Sequence, residues 1–89
     1  MKRYKDAEVE SRKAVELEPE NARYHNSLST ILLSIGQNEE AEVESRKAVE
    51  LEPENPRYHH SLSTTLFAMG RNEEAETENR KAVDLGFKE

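Results

Sequence analysis

Apolar positions along this chain recur at helical spacing, in two alternating versions. Tyr24, Leu28, Ile31, Leu32 and Ile35 follow one another at steps of four, three, one and three, which places them on one stripe of a helix. Ala41, Ser45, Ala48, Val49 and Leu51 mark a second helix with a narrow face of small residues and Val43 at its edge. Strand signals are absent, with no sustained two-residue alternation and no hairpin turn. The punctuation agrees. Asn21-Ala22 and Asn55-Pro56 read as an N-cap followed by the first helical residue. Gly36 and Gly70 close the first-type helix, and Pro19 and Pro53 follow and stop the second. Glu39 and Glu40 fall in a first turn, where the helix dipole favours acids. The spans predicted are residues 3–18, 21–35, 37–51, 55–69 and 71–85. Turns of two to four residues then force neighbouring helices antiparallel.

The same pattern returns at an offset of 34 residues. Residues 7–21 and 41–55 both read AEVESRKAVELEPEN, and 7–40 matches 41–74 at 27 of 34 positions. A third copy starts at Ala75 with AETENRKAVDL, 8 of 11 positions kept. The chain therefore divides into a half repeat at 1–21, holding only a second-type helix, and full repeats at 22–55 and 56–89. One hairpin buries too little to fold alone, whereas stacked hairpins share a continuous core.

A helix-turn-helix period of this length resembles the tetratricopeptide repeat (TPR) over essentially the whole chain. Leu28 and Leu62 match the family's first-helix Leu; Ala7, Ala41 and Ala75 match its early second-helix Ala. Ala14, Ala48 and Ala82 match its later Ala, and Pro19 and Pro53 its closing Pro. Some positions depart from the pattern. His25 and His59 stand where a large aromatic is usual, Ser29 and Ser63 where Gly is usual, and Leu32 and Leu66 where an aromatic is expected. Ser11, Ser45 and Asn79 replace a second-helix aromatic. These swaps shrink the core. The resemblance implies an all-α, right-handed α-solenoid of five helices stacked as antiparallel hairpins. It also implies that first-type helices line a concave face that holds a peptide or partner helix. By that resemblance the face carries Arg23, Asn26, Ser27, Thr30 and Leu33, then Arg57, His60, Ser61, Thr64 and Phe67.

Composition narrows the chemistry. Thirteen Lys+Arg against nineteen Asp+Glu leave a net charge of −6, which argues against nucleic acid or an anionic membrane as partner. With no Cys, disulfides and thiolate chemistry are excluded. The longest apolar run, Ile31-Leu32-Leu33, is too short to cross a bilayer, and no signal segment is apparent, so a cytoplasmic chain is expected. His59 and His60 point about 100° apart on a helix and cannot share a metal. His25 and His59 read as partly buried stand-ins for the family aromatic. The Glu residues lie beside Arg and Lys on second-type helices, at Glu8/Arg12, Glu42/Arg46 and Glu76/Arg80, as favourable i,i+4 pairs worth ~0.3 kcal/mol each. No Ser lies in a nucleophile elbow and three glycines cannot form a phosphate cradle, so neither enzyme activity nor a cofactor is expected.

Two readings of function follow. In the first, the chain is a non-enzymatic protein–protein interaction scaffold that binds a peptide or protein partner. Arg23 and Arg57 would meet acidic groups and Phe67 would wall an apolar pocket; the bland alternative has both Arg pairing with neighbouring Glu. Arg23 and Arg57 alone fit the charge needs of the family's carboxylate clamp, so that clamp is not expected. In the second, the chain is a self-assembling or engineered repeat unit with no evolved ligand, its open terminal helices stacking on copies of itself. Thr77 and Asn79 look like polar adjustments of a terminal helix, and Leu85-Gly86-Phe87 like a helix stop with its hydrophobic contact.

Overall fold

In the computed structural model, which describes residues 2–88, the chain is five α-helices joined by short turns. They are α1 (Lys2–Leu17), α2 (Ala22–Ser34), α3 (Asn38–Leu51), α4 (Pro56–Ala68) and α5 (Asn72–Asp84), with no strand among the described residues. Their ends lie within one residue of the spans read in the sequence: α1 is shifted one residue earlier, α3 ends at Leu51 as expected, and the flanking residues of α2, α4 and α5 cap those helices instead of extending them. Asn21 and Asn55 hold extended backbone, and each accepts a 3.0 Å hydrogen bond from the amide two residues on, Arg23 N–H and Arg57 N–H. Gly36 and Gly70 take φ of 84° and 78°, a conformation costly for any residue with a Cβ. That turn lets Gln37 N–H donate to Leu32 O at 2.9 Å and Arg71 N–H to Leu66 O at 3.0 Å. α5 stops in the same manner: Gly86 has φ 107° and Phe87 N–H donates to Ala82 O at 2.9 Å.

Each helix packs on the next, and α2 also packs on α4, so the first-type helices form one row and the second-type helices the other. The result is the right-handed α-solenoid of antiparallel hairpins. Leu28 and Leu32 close over Ala41, and Leu62 and Leu66 over Ala75, with Val15 and Val49 packed at the edges of these two clusters. A third cluster joins Ala22, Ala48 and Tyr58, flanked by Val49 and Leu51. The alanines let the hairpins close tightly, so a few leucines suffice. Ser29 and Ser63, two of the departures from the repeat pattern, each bridge a hairpin: Ser29 Oγ–H donates to Ala41 O at 2.9 Å and Ser63 Oγ–H to Ala75 O at 2.8 Å. Val43 is a correction. It is 63% exposed and lies on the outer surface, outside the narrow apolar face of its helix.

His25 and His59 are buried, and each is bonded at both ring nitrogens. His25 Nε2–H donates to Pro19 O at 2.7 Å, and Nδ1 lies 2.7 Å from Glu44 Oε1. One period on, His59 Nε2–H donates to Pro53 O at 2.7 Å and Nδ1 lies 2.8 Å from Glu78 Oε1. A carbonyl only accepts, so Nε2 must donate to it, and Nδ1 shares a further proton with the carboxyl. The ring thereby clamps the preceding turn and the following second-type helix, work that an aromatic residue would do by packing alone.

Ion pairs run along the second-type helices. Arg12 bonds Glu8 at 2.8 Å and Glu40 of α3 at 2.7 Å; Arg46 bonds Glu42 at 2.8 Å and Glu74 of α5 at 2.9 Å. Arg71 adds Glu42 at 2.8 Å and Glu74 at 2.7 Å. The third expected pair, Glu76/Arg80, does not form among the described residues. Arg12 and Arg46 are each held between two acids, the second from the next second-type helix. Arg80 lies on α5, the last of the described helices.

Candidate protein-binding face

The ten residues singled out on the first-type helices fall into three environments. Arg23, Ser27, Thr30, Arg57, Thr64 and Phe67 are exposed; Asn26, Leu33, His60 and Ser61 are half-buried. Leu33 packs against the Leu28–Leu32–Ala41 cluster, so it serves the core as much as the surface.

The first environment is formed by Arg23 and Arg57. Each follows an N-cap asparagine, which fixes the backbone from which the side chain leaves. Among the described residues neither guanidinium has an ion-pair partner, in contrast to Arg12, Arg46 and Arg71, and the alternative in which they pair with neighbouring Glu is not found. Both act on Tyr58, a buried residue of α4. Burial raises the Tyr58 phenol above its ordinary value and Glu52 adds to the rise, while the charges of Arg23 and Arg57 oppose it. Two cations from successive repeats, neither in an ion pair among the described residues, thus lie near enough to act on one phenol.

The second environment is hydroxyls and amides already partly spent. Thr30 Oγ1–H donates to Asn26 O and Thr64 Oγ1–H to His60 O, both at 3.1 Å. These back-bonds leave only oxygen lone pairs for a ligand. Asn26 Oδ1 and His60 Nδ1, one period apart, are buried without a hydrogen-bond partner.

The third is a pocket on the last hairpin, lined by His60, Ser63, Thr64, Phe67, Asn79 and Phe87. The Phe87 ring stacks on His60 with centroids 4.1 Å apart and planes at 17°. Of these six, three were picked out in the sequence and three were not. Phe87 was legible only as the residue after a helix-stopping glycine, and that stop is what turns it back onto α4. Among the described residues no group of three or more His, Asp or Glu is disposed to hold a metal, and no helix is long and apolar enough to cross a membrane.

Stacked antiparallel helix pairs with this small-residue core define a TPR-like helical repeat protein. The chain belongs to the bacterial transcriptional activator domain family, whose model matches residues 2–86. Among solved structures it is similar to MamA MSR-1, at 28% identity and TM-score 0.85 over 93% of this chain and 48% of that one. MamA from Desulfovibrio magneticus RS-1 matches at 27% identity and TM-score 0.89, over 94% and 48% of the two chains. The type III secretion translocator chaperone SycD of Yersinia enterocolitica shares the fold at 22% identity and TM-score 0.87, over 93% and 63%. The chain spans about half the length of the MamA chains it matches. No curated protein matches it.

Proposed function

We propose that the chain is a non-enzymatic protein-interaction module, working in the cytoplasm, whose first-helix face binds an acidic peptide or partner segment. The observation that carries this reading is that Arg23 and Arg57, one per repeat and both near enough to act on Tyr58, have no ion-pair partner among the described residues. An unpaired guanidinium offers a bidentate fork for a carboxylate. The module is the whole chain, the half repeat 1–21 with the full repeats 22–55 and 56–89. Ser27, Ser61, Thr30 and Thr64 supply the polar margin, and half-buried Asn26 and His60 each add a polar atom without a partner, Oδ1 and Nδ1. The family's description places such domains in transcriptional activators. In that setting an array with net charge −6 would contact protein and not the DNA backbone.

The test is a binding titration with a fluorescent Glu-rich peptide carrying a free C-terminal carboxylate, against its Gln-substituted, amidated counterpart. Binding of the acidic form alone, weakened about tenfold by Arg57→Ala and by added salt, is the expected result. Equal affinity for both peptides, or no response to Arg23→Ala and Arg57→Ala together, defeats the reading.

A second reading, self-association of copies of this chain, is favoured by a separate observation. Phe67 on α4 and Val83 and Leu85 at the end of α5 are large apolar residues left 46%, 50% and 41% exposed.

A further inference from the structure

The first-helix face is not the same in the two full repeats. His60 and Phe67 on α4 stand where α2 has Asn26 and Leu33, and Phe87 stands where the preceding copy has Pro53. The backbone differs with that last change. Glu52 leaves α3 with φ −138°, and the chain runs on through Pro53, whose carbonyl accepts from His59. Gly86 instead takes φ 107°; its N–H donates to Val83 O and Phe87 N–H donates to Ala82 O, both at 2.9 Å. This left-handed turn carries the Phe87 ring to α4, where it stacks on His60 with centroids 4.1 Å apart. Three rings thus line one pocket of the face, and no aromatic residue stands at the matching positions one period earlier.

The Phe87 ring is an exchangeable occupant. The hydrogen bonds that place residue 87 belong to the backbone of the turn, so rotation about its side-chain bonds frees His60 while the turn stays closed. Phe87 is half-buried, and Phe67, which lines the same pocket, is 46% exposed, so the aromatic surface is incompletely covered. His60 Nδ1 stays buried without a hydrogen-bond partner, a cost that a ligand with a polar atom at that position removes. Arg57 belongs to the same helix, seven residues before Thr64 of the pocket. That separation is about 10 Å along the axis, at ~1.5 Å per residue. An extended peptide covers it in about three residues.

We propose that Phe87 is an internal stand-in for an aromatic side chain of the partner. The face then takes an acidic segment that carries Phe, Tyr or Trp about three residues from a Glu or Asp. The acid meets Arg57, and the partner's ring replaces Phe87 against His60 and Phe67. Ring-on-ring contact adds a preference that an aliphatic side chain of equal size does not bring. While Phe87 is seated, only the molecules whose ring has swung out are competent, so the contact weakens apparent binding. A segment without a ring gains too little to displace it, which makes the stack a selectivity device. This rests on the acidic-peptide reading of the face and adds a second requirement to it.

The experiment is fluorescence anisotropy on the full chain with two labelled Glu-rich peptides, one with Phe at that spacing from its terminal Glu and one with Ala in its place. The parent should bind the Phe peptide about three- to tenfold more tightly than the Ala peptide. Phe87→Ala should bind the Phe peptide about three- to tenfold more tightly again, since the competing ring is gone. Circular dichroism verifies that the variant remains helical. On the parent, nuclear Overhauser contacts between the Phe87 and His60 rings should be present in the free chain and vanish at saturation with the Phe peptide, a readout that needs no variant. Equal binding of both peptides, ring contacts that persist in the complex, or no gain from a folded Phe87→Ala each overturns the stand-in and leaves the acidic-peptide reading in place. Failure of both peptides to bind either protein defeats that reading and the stand-in with it.

Discussion

Arg46 on α3 and Glu74 in the first turn of α5 lie 28 residues apart in sequence and 2.9 Å apart in space. The bond skips the intervening helix and ties successive second-type helices directly, as Arg12 and Glu40 do one period earlier. The acids it uses sit where a helix dipole already favours them, so the ladder and the helix starts reinforce each other.

This ladder makes the fold acid-sensitive. The hydrogen bond from Arg12 holds the Glu40 carboxyl below its ordinary value of 4.5, and bonds from Arg71 and then Arg46 do the same for Glu74. A carboxyl lowered on folding adds stability that is present above the unfolded value and lost as pH falls through the folded one. The melting temperature should therefore drop as pH is taken below 4.5. Arg12→Gln should flatten that part of the profile, as seen by circular dichroism melts at stepped pH. High salt should lower the melting temperature of the parent more than that of the variant, since these pairs are partly exposed.

The buried histidines are tied to specific acids. His59→Phe restores an aromatic but leaves Pro53 O without its donor and removes one of the two partners of Glu78, which keeps Lys81 at 3.3 Å. It should destabilise the chain by about 1–3 kcal/mol in urea unfolding, in spite of the added apolar surface. Adding Glu78→Leu should recover only part of the loss, because the Pro53 carbonyl still lacks its donor.

Gly70 is required for its backbone and not for space. A Cβ there would meet nothing within 4 Å, yet φ is 78°. Gly70→Ala should cost about 1–2 kcal/mol in unfolding free energy, and Gly70→Asn less, since Asn tolerates the left-handed region. Equal stability of all three would mean that the turn can be made another way.

The leucines carry most of the packing in a core otherwise made of alanine and serine. Leu66→Ala, at a fully enclosed site, should cost about 2–5 kcal/mol, a large part of what a chain of this size has to lose. Val43→Ala, on the outer surface, should change stability by less than about 0.5 kcal/mol. Denaturant midpoints of the two variants, measured side by side, give the contrast.

Local physics made much of this legible before any coordinates. The spacing of Leu28 and Leu32, the caps at Asn21 and Asn55 and the stops at Gly36 and Gly70 act within a few residues, so the sequence states them outright. Repetition extended that reading to the stacking, because a hairpin that packs on its own copy packs the same way each time. The candidate face was read less well. Arg23 and Arg57 looked alike whether paired or free, since that depends on where distant acids end up. Phe87 showed as a helix stop, without the partner that its ring finds.

By itself the sequence determined the helices, their ends and their order, which follow from periodicity and backbone preference. Only the tertiary structure decided which charges are spent. Arg12 and Arg46 reach across a turn and a helix to acids 28 residues on, Arg80 does not, and His25 and His59 find Glu44 and Glu78 from 19 residues away. Those choices depend on how far apart the stacked helices stand, a distance set by the alanines between them.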